Sequence, residues 1–210
     1  MSAWLWRSSA IALAGLLLCT ATAGRVSAQE EAAPAPKYSL LIVRAAGQVP
    51  GSEKPTGADA ITQATDEAAN TYIFSESLVA KLKAMNIKAE IKDHSACKDF
   101  EKLLTVDAVV FAGPTYGDKL PPQLQQFIPK VKAAVAAHPA VLYSCFTSCW
   151  KPPSGSVAVA AFVKSLEEAG AKTAAGAAFG SKTGKVVWDK QISEFAVSLA
   201  KALEGATEAE

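Results

Sequence analysis

From Tyr38 onward, short apolar runs alternate with stretches whose apolar residues recur every three or four positions. No other feature of the chain limits its fold so tightly. Strands that are apolar on both faces need cover on both faces, and helices placed between successive strands supply it while making the strands run parallel. Ser39 to Val43 reads as the first such strand. Phe74, Leu78 and Leu82 then recur at helical spacing, and Met85-Asn86 closes that helix. Ile87, Ala89 and Ile91 alternate with Lys88, Glu90 and Lys92, the pattern of a half-exposed edge strand. A short helix is expected around Phe100 to Leu104, then a buried strand from Asp107 to Ala112. After Pro121-Pro122, the residues Leu124, Phe127, Ile128 and Val131 lie on one helix face. Ala140 to Tyr143 forms the fourth strand, and Val159, Phe162, Val163 and Leu166 mark a helix stopped by Gly170. Thr173 to Phe179 is the fifth strand, Ile192 to Leu203 the last helix, and the polar end from Glu204 is expected to fray. The fold class is therefore α/β, with five strands, about five helices and no internal repeat.

The first 28 residues read as an export signal. Arg7 precedes an apolar run from Ile11 to Leu18, and Val26-Ser27-Ala28 supplies the small residues of a cleavage site before Gln29. The run is too short for a comfortable membrane crossing, and Leu18 stands where lipoprotein processing at Cys19 needs a small residue. Residues 29–37 read as a flexible linker, 38–205 as one domain and 206–210 as a tail. The expected location is periplasmic or secreted, without a permanent membrane span. Net charge is +1, and removing Arg7 and Arg25 with the signal leaves 19 basic against 20 acidic residues. Such a balance provides no long-range field to draw nucleic acid or an anionic membrane surface.

Export puts Cys97, Cys145 and Cys149 in an oxidising compartment, where one disulfide plus one free thiol is the simple arithmetic. Cys145 and Cys149 are the candidate pair, on the condition that the chain turns between them, because an extended stretch holds their Cα atoms beyond disulfide reach. The pair reads as a redox or metal-binding couple, a loop staple, or two unpaired buried thiols. His94 and Cys97 add donor types that would suit Zn²⁺ or copper, but no metal is expected. Nor does any Ser/His/Asp set or carboxylate pair offer itself as catalytic machinery.

Ligands of open α/β sheets bind outside the carboxyl ends of the strands. The loops after Val43, Ala112 and Tyr143 are therefore the places to search. Gly113-Pro114-Thr115-Tyr116-Gly117 makes a bend with an aromatic at its tip and glycines that admit close backbone approach. Phe146, Thr147, Ser148 and Trp150 cluster two aromatics and two hydroxyls where the fourth strand is expected to end, a composition suited to a ring-stacking wall.

The run Asp107 to Gly117, followed by Leu120-Pro121-Pro122-Gln123-Leu124-Gln125-Gln126-Phe127, resembles the third strand, flavin loop and helix start of flavodoxin-like proteins. Ala140 to Tyr143 with Phe146-Thr147-Ser148 resembles the next flavin loop, particularly that of the FMN-dependent quinone oxidoreductase branch. The resemblance spans Tyr38 to Leu203. It implies a three-layer sandwich with strand order 2-1-3-4-5 and a non-covalent FMN as cofactor. Its implied ring contacts are Pro114, Thr115, Tyr116, Gly117, Phe146, Thr147, Ser148 and Trp150.

The phosphate side departs from the family pattern. The family holds the FMN phosphate in a short glycine- and hydroxyl-rich turn opening the first helix, where amide N–H groups favour an anion. Here roughly twenty extra residues intervene. One replacement is Thr65 to Thr71, ending in the family-like Asn70-Thr71 pair but carrying Asp66, Glu67 and no glycine. The other is Ser52 to Gly57, which requires an unusually long helix from Asp59 to Met85. The expected function is an exported FMN protein that transfers electrons or reduces a small acceptor such as a quinone. The alternative is a flavodoxin-like binding or scaffold module that has lost FMN. Partners under the first reading are the cofactor and a redox partner.

Overall fold

Leu40 and Ile42 of β1 (Tyr38–Arg44) point to one side of the sheet and Leu41 and Val43 to the other, and all four are buried. The alternation makes two cores. Leu41, Val43, Val109, Phe111 and Tyr143 meet Leu124, Phe127, Val131 and Phe162 on one face. Leu40, Ile42, Val110 and Phe146 meet Phe74, Leu78, Ile192, Phe195 and Leu199 on the other. The computed structural model describes residues 35–45, 58–115, 118–150, 152–180, 182 and 184–208, with 58–69 and 208 as backbone alone. The proposed signal segment lies outside the described residues.

After β1 come α1 (Ala58–Ala84), β2 (Ile87–Asp93) and two short 3-10 turns at His94–Ala96 and Phe100–Leu103. Then follow β3 (Ala108–Pro114), α2 (Pro122–Gln125), α3 (Phe127–Ala134), β4 (Leu142–Cys149), α4 (Pro152–Glu168), β5 (Lys172–Thr173), β6 (Ala177–Gly180) and α5 (Lys185–Glu208). All strand pairings are parallel and the order is β2-β1-β3-β4-β5, with β6 also paired to β4. The flavodoxin-like sheet order is thus the observed one. Asn86, at φ 59°, ends α1 in the left-handed conformation that its short polar side chain tolerates.

Several boundaries differ from the sequence expectations. The fifth strand is in two pieces, interrupted at Ala174–Gly176. There the Ser144 hydroxyl donates to the Ala175 carbonyl at 3.0 Å, while Gly176 packs so closely on β4 and α4 that a Cβ would lie 2.7 Å from the Cys145 carbonyl oxygen. The helix expected through Leu124 and Val131 is broken at Gln126, because Pro129 has no N–H for the Gln125 carbonyl. The last helix continues through Glu208, and its Glu204 pairs with Lys37 at 2.9 Å.

The longest strand correction concerns β4, which begins two residues late and runs on to Cys149 instead of stopping at Tyr143. Its hydroxyls and thiols are buried throughout. Likewise β3 reaches Pro114 rather than Ala112. These extensions carry the sheet into the region read from sequence as two loops.

Candidate functional site

The carboxyl ends of β3 and β4 remain zipped together to their last residues. Pro114 lies beside Ser148, and the Thr115 N–H donates to the Ser148 carbonyl at 2.9 Å. The Thr147 hydroxyl donates to the Gly113 carbonyl at 2.7 Å and hydrogen-bonds the Thr115 hydroxyl. From α1, the Thr71 hydroxyl meets that of Ser148 at 2.6 Å. Thr71, Pro114, Thr115, Thr147 and Ser148 are therefore brought together at one rim, all buried. Trp150 follows at the end of β4, partly exposed, with the Lys182 ammonium 4.1 Å from its ring centroid. Tyr116 and Gly117 lie outside the described residues.

Phe146 is not brought to this rim. Strand alternation turns it to the α1/α5 face, where its ring packs 5.3 Å from Phe179 and 6.2 Å from Phe195. It is a core residue with no exposure.

The Cys145–Cys149 disulfide is not present: neither residue is disulfide-bonded, and both are buried. The turn it required is absent, since both residues belong to the extended β4, and four residues of strand separate their Cα atoms by about 13 Å. Burial pushes the Cys145 thiol far above its ordinary range, so it is held as an inert thiol facing the Val159 carbonyl. Cys149 contacts the Phe179 carbonyl at 3.4 Å. Cys97 is buried elsewhere and its thiol is also pushed up by burial, against the opposing pull of Lys92 and Lys130. Among the described residues no cluster of His, Cys, Asp and Glu is placed to hold a metal ion.

Asn70 and Thr71 do not form a turn. They sit inside α1, an unbroken helix in which residues 58–70 precede Thr71 by roughly 20 Å of axis. The long helix is the one that the alternative segment Ser52–Gly57 required, but that segment lies outside the described residues. At the level of the rim, α1 therefore presents its side, through Thr71 and Ser75, rather than its amide-bearing end. The Ser75 hydroxyl donates to the Thr71 carbonyl at 2.7 Å.

Sequence reading missed Arg44, a lone cation ending an otherwise apolar strand. It is 9% exposed at the carboxyl end of β1. Its Nε donates to Asp93 Oδ1 at 3.0 Å, its guanidinium lies 3.7 Å from the Tyr72 ring centroid, and Nη1 stands 3.9 Å from Glu76 Oε1. That last separation is an ion pair too long for a hydrogen bond, and buried Nη1 has no hydrogen-bond partner among the described residues.

A family model for the flavodoxin domain matches residues 70–201, more than half of the chain. The chain belongs to the flavodoxin domain family. The match opens at Asn70, after the inserted residues and β1, so the part of this flavodoxin-family chain that departs from the pattern is the part left unmatched. No curated protein sequence matches. Among solved structures, flavodoxin 1 of Bacillus cereus is 18% identical, with TM-score 0.54 over 78% of this chain and 97% of its own. The Streptococcus flavodoxin is 16% identical, with TM-score 0.51 over 78% and 97%. Rubredoxin:oxygen oxidoreductase of Desulfovibrio gigas is 14% identical, with TM-score 0.59 over 82% of this chain and 37% of its own. These likenesses establish the fold.

The family's cofactor, FMN, finds two different receptions here. On the ring side, the hydroxyls of Thr71, Thr115, Thr147 and Ser148, buried and hydrogen-bonded in pairs, meet at the rim where Trp150 follows β4. On the phosphate side, residues 65–71 form continuous helix rather than a turn, while a guanidinium nitrogen that has no hydrogen-bond partner among the described residues is buried at the end of β1.

Proposed function

We propose that this protein is an exported electron carrier or reductase that holds FMN at the carboxyl rim of β3 and β4 and passes electrons to a small acceptor such as a quinone. The supporting observation is the convergence of Thr71, Thr115, Thr147 and Ser148 beside Trp150, from three separate elements, at the sheet edge where α/β folds bind ligands. When bound, FMN supplies the electron chemistry, so no side-chain acid or base is required. Thr115 and Thr147 tie the ends of β3 and β4 together through their mutual hydrogen bond. Trp150 offers a flat apolar wall, and Lys182 lies over that wall and must swing aside to free it.

A second reading, a flavodoxin-like binding module that has lost FMN, draws on the unbroken passage of α1 through Asn70 and Thr71. An absorbance scan separates the two. Mature protein from its native compartment is expected to show flavin bands, or to acquire them on titration with FMN with quenching of Trp150 fluorescence. A colourless protein that leaves added FMN free in solution refutes the first reading. N-terminal sequencing of the mature chain tests export, with Gln29 as the expected first residue.

A further inference from the structure

We infer that Arg44 is the phosphate anchor of this site, at a rim where α1 presents its side rather than its opening turn. The inference rests on the FMN reading above and identifies the group that discriminates a flavin phosphate from a flavin alcohol. Arg44 ends β1, and the sheet order places β1 next to β3, whose end forms the ring side. The two strand spacings from β1 to β4 amount to about 10 Å, a gap that the ribityl chain between ring and phosphate bridges.

Three contacts prepare the guanidinium. Asp93 holds Nε, Tyr72 stacks on its face, and the surrounding burial removes most competing water. What remains is buried Nη1, a charged donor without an acceptor among the described residues. Leaving such a donor without a hydrogen bond is costly, and a planar guanidinium fork matches the oxygens of a phosphate. Glu76 is the group that opposes an anion there. Its side chain is 70% exposed and lies at 3.9 Å from Nη1, so it can rotate into solvent when a phosphate arrives. Asp93 remains on the far edge of the guanidinium and keeps it oriented.

The test compares FMN with riboflavin, which has the same ring and ribityl chain but no phosphate, by fluorescence titration of the mature protein. Arg44→Gln is expected to weaken FMN about 30-fold and leave riboflavin within about twofold. Glu76→Gln, at an exposed position that leaves packing alone, is expected to tighten FMN about threefold, again without moving riboflavin. Inorganic phosphate should compete with FMN in the wild-type protein and not in Arg44→Gln. Equal losses for both flavins in Arg44→Gln, or an unchanged FMN affinity in Glu76→Gln, overturn the assignment of Arg44 while leaving the FMN reading in place. Failure of the wild-type protein to take up either flavin overturns both. Should Arg44→Gln fail to fold, the Glu76→Gln pair of titrations decides alone.

Discussion

Replacing Gly176 with alanine adds a single methyl group at the tightest point of the sheet edge. The new Cβ would lie 2.4 Å from Val159 Cγ1, 2.7 Å from the Cys145 carbonyl oxygen and 3.3 Å from Cys145 Sγ. The carbonyl is backbone of β4, paired to β3 on its other side, and cannot retreat. Val159 is β-branched and sits in α4, where its side chain is confined to essentially one rotamer. Overpacking of this kind costs about 3 kcal/mol, the upper end of the usual range, which for a domain of this size lowers Tm by roughly 6–12 °C. Gly205 is the internal control. It lies in α5 with nothing within 4 Å of the place an added methyl group would take, so Gly205→Ala gains about 0.5–1 kcal/mol from helix propensity and raises Tm by a few degrees. Differential scanning calorimetry on both variants reads the contrast. Adding Val159→Ala to Gly176→Ala should not restore the wild-type Tm, because the clash with the carbonyl persists. A Gly176→Ala protein as stable as wild type would refute the close-packing explanation for the interrupted fifth strand.

Burial raises the Tyr143 phenol to about 12, so the folded state keeps a proton that the unfolded chain loses from about pH 10. The associated stability is present in full below pH 10 and fades as pH climbs towards 12, a loss of about 3 kcal/mol that urea titrations should register. Tyr143→Phe should flatten that alkaline slope, and it should cost little at neutral pH because the buried hydroxyl has no hydrogen-bond partner among the described residues. A double-mutant cycle of Thr71→Val and Ser148→Ala should give a coupling of about 1 kcal/mol in urea unfolding, whereas a value near zero contradicts the 2.6 Å contact. Alkylation of the native protein should leave Cys97, Cys145 and Cys149 unlabelled, and all three should label after denaturation without any reductant.

The layers and strand order were legible because they depend on gross periodicity. Leu40 to Val43 and Ile192 to Leu203 carry their burial pattern openly in the sequence. Strand ends were less legible, for a physical reason visible in β4. Ser144, Thr147 and Ser148 have loop-like composition, yet each hydroxyl finds a partner that lies far away in sequence: Ala175, Gly113 and Thr71 respectively. Only the folded sheet reveals those partners, and the same extension undid the cysteine pairing and sent Phe146 inward. Arg44 escaped notice for a related reason, since its significance comes from Asp93, Tyr72 and Glu76 closing around it from β2 and α1. Of the residues singled out in advance, Thr71, Pro114, Thr115, Thr147, Ser148 and Trp150 do gather at one rim.

The interrupted fifth strand also shortens the ladder that one margin of the sheet presents. An intruding chain that tries to lengthen the sheet on that flank finds two residues of ladder, a gap, and four residues more. On the opposite flank, β2 displays Lys88 and Glu90 to solvent, charges that a stacked neighbour would have to strip of water. One margin is thus short and broken and the other is guarded by charge, and both features disfavour edge-to-edge pairing.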